Sequence, residues 1–399
     1  MTTHHQLTRL RLALAAHAVT TFAGTTAFKV VATYSAIDFG FSASELGLLA
    51  ASFGVPPLFV AFHAGRWTDR TGGLKVILIG DVIMVLAALV PVLLSTSVAL
   101  IAAAAVLGLG SLLSIVGQHA LIGATVPKQD QERVFGTMFS ANAIGQMLGP
   151  LAATVLASLF AGQPGGTLSV HSGFLVAIGL VSIGVATLAL FPPAAWRQNR
   201  DEWSEPQSAL STIRAILSVN GAAAILCYSA VLVAIIDMLS ILLPAWGAER
   251  GVAPAVVGVL LSLRAGASIV VRFALVPILT FLGRRNVLIG AAVITASSLA
   301  GLTVANLPTA GAIAIALGAA LGLAPPISLA WVSLTMPARL RGSAMGLRIL
   351  ANRTAQVGVP AAVGVVSAGL SGMFLVSAGL VVVASVLVFR VPFPDRDGG

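Results

Sequence analysis

The chain has 399 residues, of which 58% are hydrophobic and only 9% are charged. An ordinary soluble domain carries roughly 25% charged residues, so this composition excludes a soluble globular protein and makes the lipid bilayer the expected partner. The net charge of +9 would suggest nucleic acid in a soluble protein, but membrane topology accounts for it here. The single cysteine, Cys227, excludes an internal disulfide and a cysteine-based zinc site, and we expect it to be a small buried hydrophobe.

Apolar stretches alternate with short polar breaks along the chain. Each stretch reaches the roughly 20 residues that a membrane-spanning helix needs. The first is longer than the apolar core of a signal peptide, so we predict that it remains as a helix. We number the stretches as spans 1 to 12, and they cover residues 12–36, 45–64, 75–94, 98–123, 134–160, 172–191, 216–245, 254–281, 286–305, 308–334, 342–367 and 371–390.

Basic residues predict the orientation of these spans. With the N-terminus inside, every Lys or Arg assigned to a loop or tail lies on the inner side, except Arg250. This asymmetry predicts a multi-pass protein of the inner (plasma) membrane with cytoplasmic N- and C-termini, and it supports an even number of spans. The longest polar segment, 192–214, is predicted to be a cytoplasmic linker between an N-terminal six-helix bundle (1–191) and a C-terminal six-helix bundle (215–399).

The two halves of the chain resemble each other. A shift of 210 residues relates span 5 to span 11, and a shift of 211 residues relates the turn after span 1 to the turn after span 7. Six spans in each half make the halves parallel, which suits rocking-bundle transport with a site near the membrane midplane. Coincidence among small residues is the alternative. The matched pairs are Gly136–Gly346, Ala141–Ala351, Asn142–Asn352, Gln146–Gln356, Pro150–Pro360, Asp38–Glu249, Gly40–Gly251 and Gly47–Gly258.

The loop after span 2 reads Gly-Arg-Trp-Thr-Asp-Arg-Thr-Gly-Gly-Leu-Lys. Two glycines permit a tight turn and close helix approach, and the acid can pair with a cation or a helix N-terminus. The loop resembles the signature G-x-x-x-D-R-x-G-x-R/K of the major facilitator superfamily, apart from its Gly73–Leu74 pair. The resemblance implies a conformational latch formed by Gly65, Asp69, Arg70, Gly72 and Lys75, and an ordinary basic inner loop is the alternative.

The same resemblance covers the whole chain and implies its architecture. The expected fold is an all-α polytopic membrane protein, with twelve transmembrane helices in two pseudo-symmetric six-helix bundles. The expected activity is secondary transport by alternating access, and the expected oligomeric state is a monomer.

Span 5 carries a second motif, which resembles the antiporter motif of drug–proton exporters in the same superfamily. Its residues are Gly136, Gly145, Gly149 and Pro150. The resemblance implies export, and close packing of helices through small residues is the alternative. The arginine that such exporters place in span 4 is absent, since its position is Ala104, and span 1 has no acid in its apolar run. Proton coupling is therefore left open, with a proton gradient as one candidate energy source and with no cofactor or metal expected.

Charged residues inside the spans are costly and mark candidate sites. Lys29 lies about 27 Å along span 1 from Arg11, and Asp237 lies in span 7, the equivalent of span 1. We predict an outer-gate ion pair between Lys29 and Asp237, and the alternative is that Lys29 extends alone toward the outer surface. Arg272, near the inner end of span 8, is interpreted as an anchor to the inner leaflet.

Span 11 presents a polar face with Arg348, Asn352 and Gln356 at i, i+4 and i+8. Arg353 is about 140° away from Arg348 around the helix, so it is expected to face elsewhere. Arginine binds carboxylate or phosphate through two parallel hydrogen bonds, and the cations inside the spans outnumber the acids. We therefore expect an anionic or zwitterionic small-molecule substrate, and partnering of the arginines with other helices is the alternative. Span 5 and span 8 add further candidates for substrate binding or coupling, which are Asn142, Gln146 and Arg264.

The sequence thus favours a secondary active transporter, with export of a small organic or drug-like compound as the predicted activity. A proton-coupled multidrug exporter of lipophilic cations is the main alternative, followed by an importer or facilitator. A membrane sensor that does not transport is a remote alternative, because no loop is long enough to hold a soluble domain. No His-Glu-x-x-His pattern, paired helix acids or matched serine and histidine supports an enzyme.

Overall fold

The computed structural model describes residues 4–156, 159, 169–196, 209–389 and 391. The described residues form helices and contain no strand. The helices are α1 (His4–Asp38), α2 (Ala43–Ser52), α3 (Val55–Thr71), α4 (Gly73–Leu93), α5 (Ser97–Thr125), α6 (Lys128–Leu151), α7 (Val170–Thr187), α8 (Ala209–Leu217), α9 (Ala222–Glu249), α10 (Pro254–Phe273), α11 (Leu275–Leu282), α12 (Arg284–Leu302), α13 (Leu307–Thr335), α14 (Ala338–Val366) and α15 (Gly369–Val388). A π-helical turn, Ala152–Leu156, continues α6, and 3-10 turns follow α7 at Leu188–Leu190 and Pro193–Trp196.

These helices match the twelve predicted spans. Span 2 is divided into α2 and α3, and span 8 is divided into α10 and α11. Within the described residues, ten segments are long and apolar enough to cross a membrane. The other two, α1 and α6, have the length, but polar and charged residues interrupt their apolar runs. The short helix α8 was not predicted, because its residues were assigned largely to the polar linker.

Contacts divide the chain into two compact units. The first comprises residues 1–41, 52–202 and 243–265, and the second comprises residues 42–51, 203–242 and 266–399. In the first unit α1 packs against α6 and α7, and α4 packs against α5; in the second, α12 packs against α13 and α15. The predicted domain boundaries at 191 and 215 stay predictions, since residues 197–208 of the linker lie outside the described residues.

Two glycine pairs set the distance between α4 and α5. A Cβ built on Gly73 would lie 2.6 Å from the carbonyl oxygen of Gly117, and one on Gly117 would lie 2.7 Å from that of Gly73. Two turns along, Gly80 and Gly110 oppose each other in the same way, at 2.6 and 2.5 Å. Side chains at these positions would force the backbones apart, so the four glycines allow α4 and α5 to pack closely.

Each unit also contains a close helix contact, and the sequence repeat relates the residues of one contact to those of the other. In the second unit, a Cβ on Gly47 of α2 would lie 2.7 Å from both the Gly364 Cα and the Pro360 carbonyl oxygen of α14. In the first unit, a Cβ on Gly258 of α10 would lie 3.0 Å from the Pro150 carbonyl oxygen of α6. The 211-residue shift relates Gly47 to Gly258, and the 210-residue shift relates Pro150 to Pro360. The structure therefore reproduces the internal repeat as a repeated helix contact.

The prediction that Cys227 is buried is wrong. Cys227 lies on α9 and is exposed. Its neighbour Tyr228 is buried and donates a hydrogen bond to the Leu288 carbonyl oxygen on α12 at 2.7 Å. Successive helix residues point about 100° apart, so the inward position of Tyr228 turns Cys227 away from the helix bundle.

Candidate functional site

Hydrogen-bonded polar side chains link α9 to α14 in the second unit. The Gln356 Nε2 group donates a hydrogen bond to Asp237 Oδ2, and the Arg353 Nη1 group donates to Gln356 Oε1 at 3.0 Å. The charge of Asp237 also attracts that of Arg353. The expectation that Arg353 faces away from this polar face is wrong, because residues three apart on a helix are neighbours and Arg353 reaches Gln356 in this way.

Arg348 lies one turn before Asn352 on the same face of α14 and has neutral partners. Its Nη2 group donates to the Ser328 hydroxyl at 3.3 Å and to the Pro325 carbonyl oxygen at 3.4 Å. Ser328 also contacts the Ser229 hydroxyl of α9 at 3.3 Å. Within the described residues, Arg348 Nε and Asn352 Oδ1 are buried and have no hydrogen-bond partner.

Arg348 and Arg353 of α14 therefore differ in charge compensation. Arg353 has Asp237 as its counter-charge, whereas no carboxylate of the described residues lies within ion-pair distance of Arg348. A buried cation without a counter-charge is unfavourable. The site can thus accept one negative charge at the Arg348 guanidinium, whose Nε atom has no partner among the described residues.

Two adjacent prolines weaken α13 beside this site. Pro326 has no N–H group and cannot bond to the carbonyl oxygen of Gly322, four residues earlier. Arg272 of α10 supplies the missing donor, since its Nε group bonds to that oxygen at 3.3 Å. Gly322 makes this reach possible, because a Cβ there would lie 2.8 Å from the Cα of Ser268. Arg272 is therefore a partner of α13, and its interpretation as a leaflet anchor stays a prediction.

The remaining candidate residues for substrate binding or coupling lie in the first unit. Asn142 of α6 is buried, and its Oδ1 atom has no partner among the described residues, while Gln146 one turn later is half-buried. Arg264 of α10 is only 5% exposed. Lys29 places its Nζ atom 5.2 Å from the ring centroid of Phe53, a cation–π arrangement. Because Lys29 and Asp237 belong to different units, their predicted gate pair stays a prediction.

The predicted latch lies at the α3–α4 turn. Gly72 ends α3 with a φ of 93°, a conformation that favours glycine, and Arg70 and Lys75 are exposed. Gly65 makes no close helix approach, because a Cβ there would meet nothing within 4 Å. The close approach of this region occurs at Gly73 instead. The side chain of Asp69 lies outside the described residues, so the latch stays a prediction.

The glycines of the antiporter-type motif pack α6 against α1. A Cβ on Gly145 would lie 2.6 Å from the Val19 carbonyl oxygen, and one on Gly149 would collide with Thr26. Gly136 faces open space, and Pro150 is buried. Two of the three glycines thus have a packing role, whatever the direction of transport.

One buried polar cluster, which joins α1, α4 and α5 of the first unit, was missed by the sequence analysis. His17 and Asp81 are both 0% exposed, and the distance from His17 Nε2 to Asp81 Oδ2 is 2.7 Å. The Gln118 Nε2 atom lies 3.3 Å from His17 Nδ1 and 3.4 Å from Ser114 Oγ. Polar residues inside three apolar spans were the available signal, and their pairing was not visible in one sequence.

Comparison with known proteins identifies the family of this chain. A family model described as Major Facilitator Superfamily matches residues 14–250 and 229–398, while no curated protein matches the sequence. Three solved structures are similar over nearly their full length. The nucleoside transporter NupG has a TM-score of 0.72 at 17% identity, covering 95% of this chain and 98% of that one. A bacterial homolog to the human lysosomal transporter Spinster, inward-facing and unoccupied, has a TM-score of 0.76 at 14% identity, covering 97% of each chain.

The third structure is a D-xylose-proton symporter, with a TM-score of 0.76 at 15% identity, covering 97% of this chain and 98% of that one. Identities this low show the fold alone, and the family model shows the membership. Polytopic helices, two repeated halves and the family match lead to one conclusion. The chain belongs to the Major Facilitator Superfamily, and it is a secondary transporter of the membrane and not an enzyme.

Proposed function

We propose that this transporter exports a small organic anion or zwitterion by alternating access, that Arg348 of α14 binds its acidic group, and that Asn352 of α14 accepts a hydrogen bond from an adjacent N–H. The observation that carries the proposal is the Arg348 guanidinium, which among the described residues has only neutral partners. Burying a cation costs several kcal/mol unless a counter-charge accompanies it. A carboxylate or phosphate group of the substrate supplies that charge.

The free atoms of the site fit such a group. The Nε atom of Arg348 has no partner among the described residues, while Nη2 on the same edge bonds to two neutral oxygens. If a carboxylate replaces those oxygens, this edge can bond to both of its oxygen atoms. Asn352 adds a buried amide oxygen without a donor in the described part of the chain. An amide or ammonium N–H next to the carboxylate would satisfy that oxygen. Amino acids, acylated amino acids and similar compounds combine both groups, which is why the proposal includes zwitterions.

Alternating access requires helix contacts that close and separate. Two repeated contacts join Gly47 of α2 to α14 and Gly258 of α10 to α6. Both consist of small residues and backbone atoms. Such contacts bring helices together without a buried ion pair that would have to be broken. The export direction rests on the resemblance of α6 to the antiporter motif, and the inner-membrane location with cytoplasmic termini rests on the distribution of basic residues.

The test is transport by purified protein in liposomes that contain a pH-sensitive dye. A panel of organic anions, amino-acid derivatives and lipophilic cations is applied with and without an imposed pH gradient, and counterflow of each radiolabelled compound is measured. We expect counterflow with an anion or zwitterion. Arg348→Gln should reduce it at least tenfold, and Arg348→Lys should restore it only in part, because lysine lacks the planar fork.

The matched control is Arg285→Gln. Arg285 is exposed at the start of α12 and bonds to the Phe389 carbonyl oxygen, so its loss removes one positive charge from the same unit without touching the proposed site. Transport of lipophilic cations that survives Arg348→Gln would overturn the anion proposal. It would also make Arg348 a structural residue and favour the multidrug-exporter alternative.

A further inference from the structure

The hydrogen bonds of the buried cluster of α1, α4 and α5 indicate where its protons lie. The amide nitrogen of Gln118 donates, so His17 Nδ1 accepts and a neutral ring carries its single proton on Nε2. Nε2 then donates to Asp81 Oδ2, a bond that an ionised carboxylate accepts. Asp81 Oδ1 is buried without a partner among the described residues. With Asp81 ionised, the cluster carries one negative charge that no contact among the described residues compensates.

Uptake of one proton removes this charge. If the Gln118 amide turns over, its Oε1 atom faces His17 Nδ1 and can accept a hydrogen bond from it. Nδ1 then binds a proton from the aqueous phase, and the product is an imidazolium–carboxylate pair without net charge. In the present orientation Gln118 Oε1 is buried and has no partner in the described part of the chain, so the acceptor that the protonated state needs is already in place.

Other titratable groups do not touch the pair. Within the described residues, the polar and ring contacts of the His17 and Asp81 side chains are the hydrogen bonds above and the edge of the Phe191 ring, whose centroid lies 6.4 Å from that of His17. Arg9 and Arg11 of α1 are engaged by the Leu190 carbonyl oxygen and the Thr137 hydroxyl. Among the described side chains, the other titratable groups on the surrounding helices are Lys29, Tyr34 and Asp38 on α1, His63 and Arg70 on α3, Lys75 on α4, His119 on α5, Asp130 and Arg133 on α6, and His171 on α7.

We propose that the His17–Asp81 pair binds the proton that drives this transporter, with Gln118 as its reorienting partner. This inference rests on the proposed transport function. It assigns proton coupling to a site in the first unit, in a chain that has Ala104 where drug–proton exporters have their arginine. Asp237, an acid inside span 7, already has Arg353 as its counter-charge and belongs to the hydrogen-bonded side chains around the anion site.

The first experiment does not depend on transport. Proton uptake by purified protein is counted with a soluble pH dye as the pH falls from about 8 to about 5, the range in which histidine titrates. We expect Asp81→Asn to take up about one proton fewer per chain than the wild type. His17→Gln should show the same loss, and it replaces Asp81→Asn if that variant does not fold. The control is Asp130→Asn on α6, which removes one carboxylate outside the cluster and should match the wild type.

The second experiment measures coupling in dye-loaded liposomes, with the panel compound that gives wild-type counterflow. The ratio of protons moved to compound moved should fall at least tenfold in Asp81→Asn and stay constant in Asp130→Asn. Equal proton uptake and equal coupling ratios in the two variants would overturn the proton site. If the wild type transports no compound, the proposed function fails, and the uptake count still decides whether the pair binds a proton.

Discussion

Replacement of Gly117 by alanine tests the close packing of α4 and α5. The new Cβ would lie 2.7 Å from the Gly73 carbonyl oxygen and 3.0 Å from the Ile77 backbone nitrogen. Ordinary contact begins at 3.4 Å, so the two backbones would have to separate by about 0.7 Å to reach normal van der Waals distances. Neither obstacle is the end of a flexible side chain, and the strain cannot be relieved by a rotamer change.

The expected cost follows from this overlap. Overpacking of a well-packed interior costs about 1–3 kcal/mol, while the change from glycine to alanine inside a helix returns about 0.5–1 kcal/mol. Gly123→Ala on the same helix is the control, because its Cβ would meet nothing within 4 Å. Helix propensity cancels between the two variants, so their free energies of unfolding should differ by about 1–3 kcal/mol.

The assay is reversible unfolding in mixed micelles of dodecyl maltoside with increasing dodecyl sulfate, followed by circular dichroism and by tryptophan fluorescence. Gly117→Ala should unfold at a lower dodecyl sulfate fraction than Gly123→Ala. If the two variants unfold at the same fraction, the glycine pairs do not set the helix distance and the packing argument is refuted.

Three further predictions concern the charged residues. Asp237→Asn and Arg353→Gln should each destabilise the protein by about 1–3 kcal/mol, because each removes one charge of a half-buried pair. The double variant should lose about 0.5–3 kcal/mol less than the sum, and strict additivity in the same unfolding assay would contradict the pairing. If Lys29 and Asp237 form the predicted gate pair, Lys29→Ala and Asp237→Asn will have non-additive effects on transport, and additive effects would exclude the pair. Arg272→Leu should cost about 1–3 kcal/mol by leaving the Gly322 carbonyl oxygen without a donor, and faster amide hydrogen exchange in α13 would report it, whereas unchanged exchange would deny Arg272 this role.

The helices were predictable because a bilayer leaves few alternatives. A chain in lipid must satisfy its backbone hydrogen bonds within helices, so the length of each apolar run predicts a span almost directly. The divisions of spans 2 and 8 also have a signal in the sequence. Pro56 follows the break between α2 and α3, and Pro277 follows the break between α10 and α11. Proline removes a helix donor and disfavours helix in the residue before it.

The site was predictable only where its residues share a helix. The polar face of α14 follows from residue spacing, and the contact of Arg353 with Gln356 could have been inferred from their spacing of three. His17 and Asp81 are 64 residues apart, and Arg272 and Gly322 are 50 residues apart. Those contacts depend on which helices pack together and at what height, and one sequence contains no direct record of either.

The separation of the buried charges has an electrical consequence. The proton-accepting pair His17–Asp81 lies in the first unit, and the uncompensated Arg348 lies in the second. If a proton and a monovalent anion cross the membrane together, their charges cancel and the membrane potential does no work on the cycle. If they cross in opposite directions, two charges move in the same electrical sense, and each 100 mV contributes about 4.6 kcal/mol. The voltage dependence of transport would therefore reveal whether the anion travels with the proton or against it.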